Sequence, residues 1–164
     1  MGIVKKVLIG LLVVLAVIQF IHPEKNINTT VSSLDMNLMY PIPDSVNEVL
    51  KKACYDCHSN NTRYPWYNNI QPVAWWLNDH IQEGKREINF NEFGKRTLPK
   101  QARKLKKLAK EVEEGGMPLD SYTWIHKDAA LTDREKQMII NWANNLSKQI
   151  SDKYVADSLS KLKS

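Results

Sequence analysis

Apolar positions along this chain form one continuous run followed by four helical stripes. The run spans Ile3 to Ile21 and is interrupted by Lys5, Lys6 and Gln19. The first stripe is Val46, Val49, Leu50, Ala53 and Cys57; the second is Val73, Trp76, Leu77, His80 and Ile81. The third is Ala102, Leu105, Leu108, Ala109 and Val112, and the fourth Met138, Ile139, Trp142, Ala143, Leu146 and Ile150. Spacings of three and four put each set on one face of a helix. Start and stop signals agree. Ser45 with Glu48 and Thr132 with Glu135 read as capping boxes, Pro72 suits a first helical turn, and Gly115-Gly116 ends the third helix. Helices are therefore predicted from Ser45 into the cysteine pair, over about 72–84 and 99–114, and from Thr132 to about 150. No strand alternation and no internal repeat is visible, so the fold class is all-α.

The N-terminal run has the lysines and apolar stretch of a secretory signal, but it exits through Gln19-Phe20-Ile21-His22-Pro23 without a small-x-small cleavage site. No cysteine lies near its end to mark a lipoprotein. Its roughly 19 residues just reach the ~30 Å of a bilayer core, and Lys5 and Lys6 place the N-terminus inside. The expectation is an uncleaved signal anchor, residues 1–22, forming a transmembrane helix. The protein is then single-pass in the inner (cytoplasmic) membrane with its domain on the periplasmic side. Residues 23–43, rich in Asn, Thr and Ser, read as a polar, extended tether. Residues 44–150 form the domain and 151–164 a frayed polar tail.

Composition changes this picture little: 43% hydrophobic residues with five Trp and six Tyr suffice for a core. Charge changes it more. Of the net +5, the segment Lys85 to Lys110 holds ten Lys/Arg against Glu87 and Glu92, a local +8, and the remainder is near −3. The plain reading is a solvated helix face. The sharper one is a docking patch for an acidic redox partner or anionic headgroups. No nucleic-acid motif accompanies the charge, so nucleic acid is not expected as a partner.

The chemistry lies in the only two cysteines, Cys54 and Cys57, with His58 directly behind. Thiols at i and i+3 on a helical turn point to one side, where each adds to a vinyl group of one haem, and the next histidine turns its imidazole to the iron. C-x-x-C-H is thus the pattern of covalent c-type haem attachment. Three rivals explain less. A structural disulfide leaves His58 idle. A thioredoxin-like pair opens a helix in a βαβ setting. Zinc needs a fourth ligand.

A haem held by His58 has a second axial position. Met117 stands in the loop Gly115-Gly116-Met117-Pro118, where glycines admit a flat cofactor and proline stiffens the chain behind the sulfur. His80 is the main competitor, on a face with Trp76. His22 is remote, Met36 and Met39 sit on the tether, and Met138 is on a core stripe. His126 is a candidate helix cap or propionate partner. Arg63, Tyr64, Trp66 and Tyr67 after the motif read either as a haem wall with propionate donors or as a small aromatic core. His/Met ligation favours Fe(II) and raises the potential.

The stretch Cys54 to Tyr67, then Gln71-Pro72 to Trp76, His80 to Gly84, Met117-Pro118-Leu119, Tyr122, His126 and Trp142 resembles the bacterial haem-binding domain family of small membrane-anchored proteins, over roughly residues 40–147. The resemblance implies one haem c (iron) per domain, attached through Cys54 and Cys57 with His58 as axial ligand, in an anchored, export-side protein. The expected fold is a small cytochrome c-like helical domain around one haem, after a transmembrane helix. The expected function is one-electron transfer by a mono-haem c-type cytochrome, not an enzyme. The alternatives are a peroxidase-like site with a displaceable sixth ligand, using His80 or His126 as acid/base, or a haem-based gas sensor, for which no cytoplasmic output module is expected.

Overall fold

Helices α6 (Leu98–Glu113) and α8 (Asp133–Lys161) pack along one another and carry the core. The computed structural model describes residues 2–161. The other helices are α1 (Ile3–Ile18), α2 (Met36–Met39), α3 (Asp44–Ala53), α4 (Tyr55–His58), α5 (Val73–Glu87) and α7 (Asp120–Thr123), with 3-10 turns at Trp66–Asn69, Phe90–Lys95 and Lys127–Ala129. No strand occurs among the described residues; one isolated bridge joins Ile27 to Asn61. The fold is all-α, as the periodicity predicts.

Three of the four predicted stripes, on α3, α6 and α8, build the core; on α5 the buried face is Ala74, Leu77, Ile81 and Gly84, and Trp76 of the predicted stripe is exposed. Leu105, Ala109 and Val112 of α6 meet Ile139, Ala143, Leu146 and Ile150 of α8, and Val46, Val49 and Leu50 of α3 close one side. Ser147 is fully buried between the long helices and donates to the Ala102 carbonyl at 2.8 Å, so its hydroxyl costs little there. The Thr132 box forms as read: Glu135 N–H donates to Thr132 Oγ1 at 3.3 Å, and Thr132 N–H to Glu135 Oε2 at 2.9 Å. Glu135 also pairs with Lys52 of α3. Gly115 takes the left-handed φ of +76° that ends α6. The Ser45 box does not form. α3 opens one residue earlier, at Asp44, because Pro43 already occupies the extended cap position, and no side chain caps the helix.

The membrane expectation is overturned. α1 has 16 residues, about 24 Å at 1.5 Å per residue, against ~30 Å of hydrocarbon. The last three residues of the apolar run leave the helix for a physical reason. Gln19 donates its amide to the Gln71 carbonyl and accepts from Gln71 N–H, while Ile21 O accepts from Gln71 Nε2 and Trp75 Nε1. No helix among the described residues is long and apolar enough to cross a membrane. The transmembrane anchor, and the single-pass inner-membrane location with a periplasmic domain that rested on it, are therefore corrected.

Two polar segments also depart from expectation. The 23–43 tether is packed into the domain: Met36 is fully buried, and Asn26 donates to Ser59 O and Thr62 Oγ1, both at 2.9 Å. Asn26 supplies two donors to the loop after the cysteine turn, a role composition does not reveal. The tail continues α8 as a solvent-facing helix through Lys161, with the pair Lys148–Asp152 and back-bonded Ser151 on it; residues 162–164 lie outside the described residues.

Two outcomes are expected. Met36→Ala should cost about 2–5 kcal/mol in denaturant unfolding, whereas a true tether would tolerate it within about 0.5 kcal/mol. Lys52 holds the Glu135 carboxyl below its ordinary value of 4.5, with the Thr132 N–H adding to this. That stability is present above pH 4.5 and is lost as pH falls through the lowered folded value. Glu135→Gln should cost about 1 kcal/mol at pH 7 and nothing at the acid end of a melting series.

Candidate functional site

The turn that carries the cysteines is made by a break between helices. α3 stops at Ala53, Cys54 takes φ −125°, and α4 restarts the helix for one turn to His58. Cys57 N–H and His58 N–H both donate to Cys54 O, at 3.2 and 2.9 Å, which tightens the turn and keeps the two thiols on one side. Thr62 Oγ1 donates to Asp56 O at 2.6 Å and closes the following loop over it.

A cavity of about 330 Å³ opens against this turn. Cys54, Cys57 and His58 line one wall; His80, Glu83, Gly84 and Glu87 of α5 line a second; Lys104, Lys107, Leu108, Glu111 and Val112 of α6 a third. Ile88, Phe90 and the loop Met117-Pro118-Leu119 with Tyr122 complete it. A second hollow of about 510 Å³ around Trp124 and Lys127 gathers none of the cysteine motif.

His58 Nδ1–H donates to the Ile88 carbonyl at 3.0 Å, which leaves Nε2 with its lone pair. Burial pushes the imidazole below its ordinary pKa, against the opposing pull of that carbonyl, so the ring is neutral at pH 7. Phe90, fully buried, packs edge-on to the ring at 6.3 Å. Both cysteines are free thiols. Burial, then their mutual repulsion, pushes Cys54 up to about 12; burial, then Asp56, pushes Cys57 up to about 11. Such thiols stay protonated at neutral pH, which counts against a thioredoxin-like nucleophile. No cluster of three or more His, Cys, Asp or Glu placed to hold a metal ion occurs among the described residues.

Asp56, the residue before Cys57, organises the surroundings. It is buried, accepts from Arg63 Nε at 3.0 Å, and accepts from Tyr122 Oη at 2.7 Å. Burial, then that hydrogen bond, raises the Tyr122 phenol above its ordinary value, so it remains a donor. Tyr122 stacks on His126 at 4.4 Å, and His126 Nε2 lies 2.8 Å from Tyr67 Oη. The other wall is fixed by contact. A Cβ on Gly84 would lie 2.7 Å from the Cys57 carbonyl oxygen, so α5 approaches the cysteine turn through glycine alone. The sequence marks Gly84 as a helix end; it lies inside α5, which runs on to Glu87.

Of the residues singled out from sequence, the structure brings Cys54, Cys57, His58, His80 and Met117 to one cavity. Trp76 lies just outside it and stacks on His80 at 4.3 Å. Arg63 turns to Asp56, Tyr64 Oη accepts from Asn26 N–H at 2.7 Å, and Trp66 is 75% exposed. Sequence reasoning missed Asp56 and Ile88, and read Lys104 and Lys107 only as part of the basic segment. Asp56 carries a weak signal, a carboxylate inside a buried turn; the Ile88 carbonyl carries none, since backbone acceptors leave no mark in composition.

A family model described as a haem-binding domain matches residues 13–145. The chain belongs to that family. No curated protein and no solved structure matches it. The residues present fit a haem: two thiols and a neutral imidazole with a free Nε2 face one cavity whose walls include Leu108, Val112, Ile88 and Phe90. These three groups sit on the turn between α3 and the end of α4.

Gly84→Ala tests that turn. In an open helix the change gains about 0.5–1 kcal/mol; here the Cβ meets backbone, and a net loss of about 1–3 kcal/mol is expected. Haem bound per protein should fall with it, read by absorbance against protein concentration alongside a thermal melt.

Proposed function

We propose that this haem-binding domain holds its haem covalently through Cys54 and Cys57, with His58 and Met117 as axial ligands, and serves as a one-electron carrier. The observation that carries the reading is the convergence of these four side chains on one cavity. Cys54 and Cys57 would each hold the haem by a thioether, the S–H adding across one vinyl double bond with sulfur to one carbon and hydrogen to the other, so that no oxidant is required. Haem iron supplies the one-electron Fe(II)/Fe(III) couple when bound. The chain's own residues do the rest. Ile88 O fixes the His58 tautomer, Asp56 and Gly84 fix the turn, and Phe90 with the apolar walls excludes water from the ring.

Met117 is favoured over His80 for the second axial place. The Trp76 indole packs against the His80 ring at 4.3 Å and holds it on the α5 face, although its Nδ1–H bond to Trp76 O at 2.8 Å leaves Nε2 free as at His58. Met117 rides on the loop after Gly115 and Gly116, held by its N–H to Glu111 O at 3.1 Å. Its thioether side chain has rotatable bonds to meet an iron.

Protein matured in an export-competent host should give the pyridine haemochrome spectrum of a c-type haem; its absence from pure folded protein defeats covalent attachment. Met117→Ala should abolish the near-red Met–Fe(III) band and lower the potential by on the order of 0.1 V. A wild type without that band, together with a spectral change in His80→Ala, assigns the place to His80.

A further inference from the structure

The cavity that takes the haem is lined by acids as well as by apolar groups. Glu83, Glu87 and Glu111 all face it. A haem brings two propionate carboxylates of its own, so a wall of acids alone would repel it. Only two permanent cations line the same cavity, Lys104 and Lys107, one helical turn apart on α6. Both donate to a single oxygen, Glu87 Oε2, each at 2.8 Å. Lys104 is the better covered, with its side chain 18% exposed against 50% for Lys107. The arrangement already grips a carboxylate, that of Glu87. Arg63, the other cation near the motif, is occupied by Asp56.

We propose that Lys104 and Lys107 are the cradle for the haem propionates, and that Glu87 holds their place until haem enters. Haem entry exchanges one carboxylate partner for another across the same two ammonium groups. The lysines then decide whether a dicarboxylate is accepted by a cavity whose other charged lining is acidic. This rests on the family's haem binding and is independent of covalent attachment.

The test uses the full chain as apoprotein with its thiols reduced, titrated by absorbance with haem and, separately, with haem dimethyl ester, whose propionates carry no charge. Lys104→Gln/Lys107→Gln should weaken haem binding about tenfold to a hundredfold, the loss of charge-assisted hydrogen bonds, and leave ester binding unchanged. Lys104→Arg/Lys107→Arg should restore haem binding, and Glu87→Gln should tighten it. Equal losses for haem and ester, or no loss for either, overturn the proposal. Should the double variant not fold by circular dichroism, Lys107→Gln alone, at the half-exposed position, must still weaken haem relative to ester by severalfold. Equal ester and haem affinities in that variant and in wild type overturn the proposal too. A missing c-type haemochrome in matured protein strikes only the covalent reading and leaves this titration interpretable.

Discussion

The close approach of α5 to the cysteine turn is the constraint on which the rest of the site depends. The Cys57 carbonyl sits where a Gly84 side chain would begin, and α5 ends so that Ile88 O reaches His58 Nδ1. One helix thus sets both the position of the turn and the tautomer of its imidazole. The arrangement tolerates little slack, because the turn itself is only four helical residues after a broken α3. An isolated helix of that length has no stability of its own. Its order comes from Asp56, held by Arg63 and Tyr122, and from Thr62 closing over the Asp56 carbonyl.

The charges divide by distance from that turn. Next to the thiols, the one buried carboxylate is fully engaged, and burial keeps both thiols protonated. At the α6 wall, cations and acids face each other across the opening, and Glu87 is held down to about 2 by Lys104 and Lys107. Several cations of the basic segment are therefore engaged within the protein: Lys95 with Glu92, Lys110 with Glu114, Arg96 on the Arg86 carbonyl. Four of the ten cations in that segment, Lys95, Lys104, Lys107 and Lys110, are in ion pairs, and two of these line the cavity.

Much of this was legible in the sequence, and the reasons differ by element. The stripes on α3, α6 and α8 read correctly because helix periodicity reflects burial directly; on α5 only Leu77 and Ile81 of the predicted stripe are buried, because the small residues Ala74 and Gly84, not Trp76, face inward. The structure brings the cysteine motif and Met117 to one cavity; spacing and loop chemistry, both local, single them out. Asn26 and the 23–43 segment misread because a polar residue that satisfies a distant loop looks like one facing water. The apolar run misread for a related reason: hydropathy counts Gln19 as one polar residue in nineteen, while the fold uses its amide to turn the chain onto Gln71. The aromatic loop after the motif divided. Tyr67 joins His126, Tyr64 goes to Asn26 and Trp66 faces solvent, a sorting that depends on partners far along the chain.

Asp56 links the two faces of the cavity that the sequence treats as separate. On one side it is part of the turn bearing Cys54, Cys57 and His58. On the other it accepts from Tyr122, three residues beyond the loop that carries Met117 to Leu119. The far wall is otherwise a loop opened by a left-handed glycine and anchored at Glu111 O. Such a loop has little packing to fix it, whereas a charge-backed hydrogen bond from the half-buried Tyr122 phenol has both direction and strength. Arg63 orients that carboxylate without lining the cavity. The thiol turn and the Met117 loop are thereby positioned by one carboxylate, so the fold can vary the far wall in sequence while holding its distance from the cysteines.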